Sequence, residues 1–147
     1  MLPDEVHRLL TGLPEAGEWE PVFPLLTTDP DGAPRICLLS RAEFQAAPDA
    51  IRVVLRSRRT SANLRRTGVA VLQAVGADTS YAIRVALGRT LSDGSALAAE
   101  LTVTAVEADT LGIPLRPMTY EVDPALAETE NWAGNAALFA RLSDPDG

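Results

Sequence analysis

Six arginines, Arg52, Arg56, Arg58, Arg59, Arg65 and Arg66, fall between Asp49 and Asp78 with no carboxylate among them, in a chain whose net charge is −7. Without those six, the remainder of the chain carries thirteen negative charges in excess. Five of them sit in the stretch LRSRRTSANLRRTGVAVL, residues 55–72, where Ser57, Thr60 and Ser61 alternate with the arginines. A guanidinium fork matches phosphate oxygens two at a time, and hydroxyls complete such a shell with short neutral hydrogen bonds. If a helix starts at Ser57, its first turn adds unpaired backbone N–H groups and the positive end of the dipole. A phosphate at the junction formed by Arg56, Ser57, Arg58, Thr60 and Ser61 is one reading. The other is a solvated or ion-paired face in a chain with carboxylates to spare. Arg65 and Arg66 fall nearer the end of the helix, where positive charge suits the dipole without a ligand.

What the chain lacks excludes more. It has one cysteine, Cys37, one histidine, His7, and no lysine. An internal disulfide is impossible, and one thiolate with one imidazole cannot build a zinc site. Carboxylate-only binding of Mg²⁺ or Ca²⁺ stays open. Schiff-base chemistry, covalent pyridoxal phosphate and a Walker-type loop all need an amine the chain does not have. A Ser-His-Asp triad would have to use His7, in a predicted N-terminal helix whose apolar face is Val6, Leu9, Leu10 and Leu13. A pI near 4.6 opposes nucleic-acid binding, although a local pocket can still oppose the global field for a small anion. The N-terminal MLPDEVHRLL carries acids where a signal peptide needs bases, and no apolar run is long enough to span a membrane. The expectation is a soluble, cytoplasmic protein with no nucleic-acid or membrane partner.

These residues are positioned by a mainly β chain of one domain, residues 1–147. Residues 3–13 read as a helix and GLPEAGEWEPVF as irregular lead-in, so that 1–20 precede the sheet. VFPLLTT and RICLLSR flank the turn DPDGAP as a hairpin. AEFQAAPDA reads as a loop or helical turn, IRVVL as a strand, and SRRTSANLRRTG as a helix capped by Ser57 and stopped by Gly68. VAVLQAV, YAIRVALGRTL and ALAAELTVTAVEAD follow as strands, the last two joined at Asp93-Gly94. MTYEV is a further candidate strand, and residues 124–142 read as a helical tail that packs through Trp132, Leu138, Phe139 and Leu142. Six or seven antiparallel strands with short turns hide their edges best by closing into a barrel.

The D-x-x-G-x-P-R hairpin leading into an apolar strand, and the strand followed by R-S-x-x-T-S-x-N-L-R-R-T-G, resemble in order and spacing the pyridoxamine 5′-phosphate oxidase-like family of FMN-binding split β-barrels. The resemblance covers roughly Val22 to Glu107. It implies a six- to seven-stranded antiparallel split barrel with flanking helices, a homodimer with FMN at the interface, and flavin-mediated hydride or electron transfer to a small-molecule substrate. It also implies that the flavin ring lies along Arg35, Cys37, Leu38, Leu39 and Ser40, with Leu38 or Leu39 against its face. Arg56, Ser57, Arg58, Thr60 and Ser61 would then hold the phosphate, with Asn63 as a further polar contact. Cys37 reads as a small buried side chain rather than a nucleophile. The family holds phosphate with a lysine and substrate with C-terminal arginine and histidine residues; this chain has no lysine and no histidine beyond His7, which argues against oxidation of pyridoxamine phosphate itself. A non-catalytic flavin-binding module or redox sensor, and a split-barrel dimer with deazaflavin, haem or no cofactor, are the alternatives.

Overall fold

Valine, isoleucine, leucine and alanine alternate with polar residues along most of the chain, and in the computed structural model, which describes residues 1–144, they form nine strands. Seven belong to one antiparallel sheet. In chain order these are β2 (Phe23–Thr28), β3 (Pro34–Leu39), β4 (Phe44–Ala46), β5 (Ala50–Leu55), β6 (Val69–Val75), β7 (Thr79–Asp93) and β8 (Ala96–Thr110). They are arranged β3-β2-β6-β7-β8-β5-β4. The remaining two, β1 (Trp19–Pro21) and β9 (Thr119–Glu121), pair only with each other. The sheet is a half-barrel with helices at its ends, which is the expected split-barrel architecture.

The curl brings the two sheet ends together inside, where Phe23 of β2 meets Phe44 of β4 edge to face at 5.9 Å. Around that pair lie Leu25, Leu39, Ile51, Val53, Leu55, Leu72, Ile83, Val85 and Leu101, all buried. β5 explains why IRVVL reads as continuously apolar. Ile51, Val53 and Leu55 face the barrel interior, while Val54 faces out and is covered by the C-terminal helix. A register shift between Leu87 and Thr90 marks an irregularity in the long β7–β8 ribbon. Gly88 sits within it, and a Cβ there would press on the Glu100 carbonyl oxygen.

Four helices flank the sheet: α1 (Asp4–Leu9), α2 (Arg58–Thr67), α3 (Leu126–Thr129) and α4 (Trp132–Ser143). α1 ends at Leu9 rather than near residue 13, and Leu13 is exposed while Leu2, Val6 and Leu10 are buried. α2 is the predicted arginine helix. Ser57 caps it by accepting from the Thr60 N–H, and Gly68 ends it in the left-handed region at φ 73°. α4 lays Leu138, Phe139 and Leu142 on Val54 and Ala98.

Two expectations need correction. AEFQAAPDA is a single 3₁₀ turn, Arg41–Glu43, followed by the edge strand β4, which pairs with β5 from Phe44↔Val53 to Ala46↔Ile51. A three-residue strand is too short for alternation to show in sequence. The lead-in likewise contains β1, whose partner β9 comes a hundred residues later. Among the described residues no helix is long and apolar enough to cross a membrane.

Candidate functional site

α2 is held against the sheet by its polar residues, because its apolar content is Ala62 and Leu64 alone. Asn63, 2% exposed, donates from Nδ2 to Asp29 Oδ1 at 2.8 Å and to Thr27 Oγ1 at 3.1 Å. Arg66 donates to Asn63 Oδ1 and to the Thr28 carbonyl. Thr60 is buried and its hydroxyl reaches Cys37 of β3, so the first turn of the helix lies against that strand. Ser57 and Thr60 also bond one another at 3.1 Å, and their hydroxyls are therefore largely committed to the cap.

Seven of the eleven predicted site residues divide among three clefts, and Cys37, Arg56, Ser57 and Thr60 line none of them. The first, about 350 Å³, is lined by Arg58, Ser61, Ala62 and Arg65 of α2 and by Ser92 and Gly94 to Leu97 at the β7–β8 turn. No carboxylate lines it. Arg65 donates to Ser92 Oγ at 2.5 Å, and Ser61 Oγ is buried without a hydrogen-bonding partner. Buried hydroxyls are nearly always satisfied, so an unmet one at the wall of an arginine-lined cleft points to a missing acceptor. Arg65 thus belongs to this cleft as well as to the helix end. Arg65, Ser92 and Ser95 were not legible as site residues, because the hairpin turn that completes the wall lies some thirty residues downstream.

The second cleft, on another face of α2, is lined by Asp29, Pro30, Asp31, Arg35, Arg59, Ala62, Asn63 and Arg66. Here most donors already have acceptors. Arg35 Nε lies 2.8 Å from Asp29 Oδ1, and the bonds from Arg35 and Asn63 hold the Asp29 carboxyl below its ordinary range. The third cleft gathers Val22, Leu38, Leu39 and Ser40 with Glu43, Tyr120, Leu126 and several carboxylates. Arg56 is exposed at the junction between β5 and α2, and its charge is felt at Glu43.

β3 is an edge strand whose residues alternate cleanly. Ile36 and Leu38 point outward and are more than half exposed, whereas Leu39 is 4% exposed in the core. Of the two leucines expected near a flat ligand, only Leu38 offers its side chain to the outside. Cys37 is half-buried against the core, and burial pushes its thiol up, away from nucleophilic use. His7 Nδ1 lies 3.5 Å from the hydroxyl of Thr11, just beyond the end of α1. Among the described residues no group of three His, Cys, Asp or Glu side chains is arranged to hold a metal.

A curled seven-stranded antiparallel sheet with a polar helix between β5 and β6 defines a split β-barrel. No family model matches the chain, and no curated protein matches its sequence. Solved structures do share its fold. An FMN-binding protein from Syntrophomonas wolfei subsp. wolfei is 18% identical with a TM-score of 0.51, over 64% of this chain and 78% of that one. The styrene monooxygenase flavin reductase from Pseudomonas putida is 12% identical with a TM-score of 0.52, over 71% and 92%. A protein of the pyridoxinephosphate oxidase family from Clostridium acetobutylicum, related to general stress protein 26, is 13% identical with a TM-score of 0.51, over 70% and 87%. The split-barrel resemblance read from the sequence therefore holds at the level of fold.

Proposed function

We propose that this chain is an FMN-binding, oxidoreductase-like protein that works as a homodimer and passes hydride or electrons between its flavin and a small molecule. One observation carries the reading: a cleft with two arginines, three serines and no carboxylate, one of whose hydroxyls is buried with no partner, in a chain of net charge −7. That donor set fits a phosphate dianion. Solved proteins of the same fold described as FMN-binding or as a flavin reductase support the choice of flavin.

In this proposal Arg58 and Arg65 supply charge-assisted bonds to the phosphate and Ser61 supplies the hydroxyl donor it now lacks a use for. Arg56 extends the positive field toward β3, and Ser57 and Thr60 shape the turn rather than donate. The exposed Ile36 and Leu38 offer an apolar surface to the ring, and the free edge of β3 offers backbone groups to its polar rim. The bound flavin would supply the two-electron chemistry, with the protein providing orientation and electrostatics.

The visible spectrum of the purified protein tests this directly. Bands near roughly 370 and 450 nm, present as isolated or after adding FMN, are expected, since the isoalloxazine is the chromophore. A colourless protein that takes up no added FMN would overturn the proposal.

A further inference from the structure

The third cleft, at the C-terminal end of β3, has a volume of about 290 Å³ and a composition unlike the other two. Val22, Leu38 and Leu126 give it apolar walls. The four ionised or ionisable carboxyl side chains lining it are Glu43, Glu121, Asp123 and Glu130, and no arginine lines it. Arg41, the nearest arginine in sequence, is spent on Glu20 through bonds of 2.7 and 3.1 Å.

Two polar groups in its lining are incompletely used. The Tyr120 hydroxyl is buried within reach of the Ser40 side chain but makes no hydrogen bond of ordinary geometry. Glu43 completes a capping box with Ser40, but both bonds, from the Ser40 N–H at 3.2 Å and its hydroxyl at 3.3 Å, fall on Oε1. An acceptor oxygen and an unmet phenol oxygen beside apolar walls call for a donor with an apolar body.

We propose that this cleft binds a small organic cation, its apolar part against Val22, Leu38 and Leu126 and its ammonium group donating to the Glu43 and Glu130 carboxylates and to the Tyr120 oxygen. The site goes beyond the flavin reading: it shares Leu38 with the surface offered to the ring, but its polar groups, Glu43, Glu130 and Tyr120, lie outside the phosphate cleft.

Binding is coupled to a proton. Burial pushes the Glu43 carboxyl up to about 7, the nearby Glu130 charge adds to the rise, and the Ser40 bonds and the Arg56 charge pull against it. The other titratable groups facing it are Cys37 of β3 and Tyr120 of β9, both displaced upward by burial and so away from neutral pH. An arriving ammonium group favours the ionised carboxylate and expels the Glu43 proton. Affinity therefore rises as pH passes upward through about 7 and then levels off.

Benzylamine is the probe, with benzyl alcohol as its uncharged counterpart, titrated by calorimetry into the purified protein with and without FMN. Benzylamine is expected to bind at least tenfold more tightly than the alcohol, and about tenfold more tightly at pH 8 than at pH 6, as deprotonation of one group centred between them requires. Glu43→Gln keeps the acceptor for Ser40 and should both remove the pH dependence and weaken benzylamine about fivefold or more. Tyr120→Phe, which leaves the capping box alone, should weaken it by a smaller factor. Equal binding of the two probes, no binding of either, or a pH dependence that survives in a folded Glu43→Gln protein would each overturn the proposal. FMN titrated in parallel keeps the two readings separable, because loss of flavin binding leaves the benzylamine result untouched.

Discussion

Ser61 is the residue on which the phosphate assignment turns, and its role was only half visible in sequence. The charge run and the interleaved hydroxyls are contiguous, so they stand out; which hydroxyl is free and which is committed to the helix cap depends on geometry. Arg58→Ala is expected to weaken FMN about tenfold or more, the scale of one lost charge-assisted hydrogen bond, as measured by quenching of flavin fluorescence. If instead Arg59→Ala were the damaging change and Arg58→Ala harmless, the phosphate would belong to the Asp29 cleft. Glu43 gives a second test. Its folded pKa, about 7, stands above its ordinary value of 4.5, so the native state holds the proton more tightly than the unfolded chain. The contribution of Glu43 to stability is then full below about 4.5 and is lost between about 4.5 and 7, by up to about 3 kcal/mol, levelling off above that. Glu43→Gln should flatten this fall, which urea midpoints at pH 5 and pH 8 would reveal. From sequence this segment reads only as a loop or helical turn, and neither the capping box at Ser40–Glu43 nor the burial of its acid is visible there.

At the scale of elements, the strands with strict alternation were legible because each buries one face, and α2 was legible from its cap and its glycine stop. β1 and β4 were not, since each is three residues long and is specified by its partner rather than by its own pattern, whereas β9 falls within the expected strand MTYEV. α4 was read correctly as a packing helix. It caps the outer face of β5 and β8 where Val54 and Ala98 would otherwise meet water. Its anchor, Phe139, is 5% exposed, and Phe139→Ala is expected to cost about 3–5 kcal/mol, seen as a fall in the denaturation midpoint. The arginine cleft adjoins this packing, because Ala96 of its wall lies against the same apolar cluster and Arg141 pairs with Asp93 at 3.4 Å.

For the molecule as a whole, the half-barrel leaves Ile36, Leu38 and Val69 exposed on the β3-β2-β6 end of the sheet. Neighbouring apolar side chains on one face of an open sheet mark an interaction surface more often than a solvated one. The proposed homodimer uses this surface, and Ile36→Asp with Val69→Asp should halve the mass found by sedimentation equilibrium while leaving the circular dichroism unchanged. If the flavin is shared across that interface, the same double variant should also lose FMN. The curl of the sheet was legible only as a general need to hide strand edges. Which edges remain free, and hence where a second copy fits, follows from the strand order, and that is fixed by pairings forty or more residues apart.

The pairing of β5 with β8 also governs how the molecule is made. Val53 opposes Ala99 and Leu55 opposes Leu97, so β5 has no inner neighbour until synthesis has passed residue 97. The β7–β8 ribbon can zip locally from its tight turn within microseconds, whereas docking β5 onto it must close a long loop and is the slower event. Ser92, Ser95 and Leu97 arrive with that ribbon, and with them the far wall of the arginine cleft. A nascent chain thus displays its arginines long before it can hold an anion with them, and the proposed capture of FMN would be confined to chains that have completed the sheet.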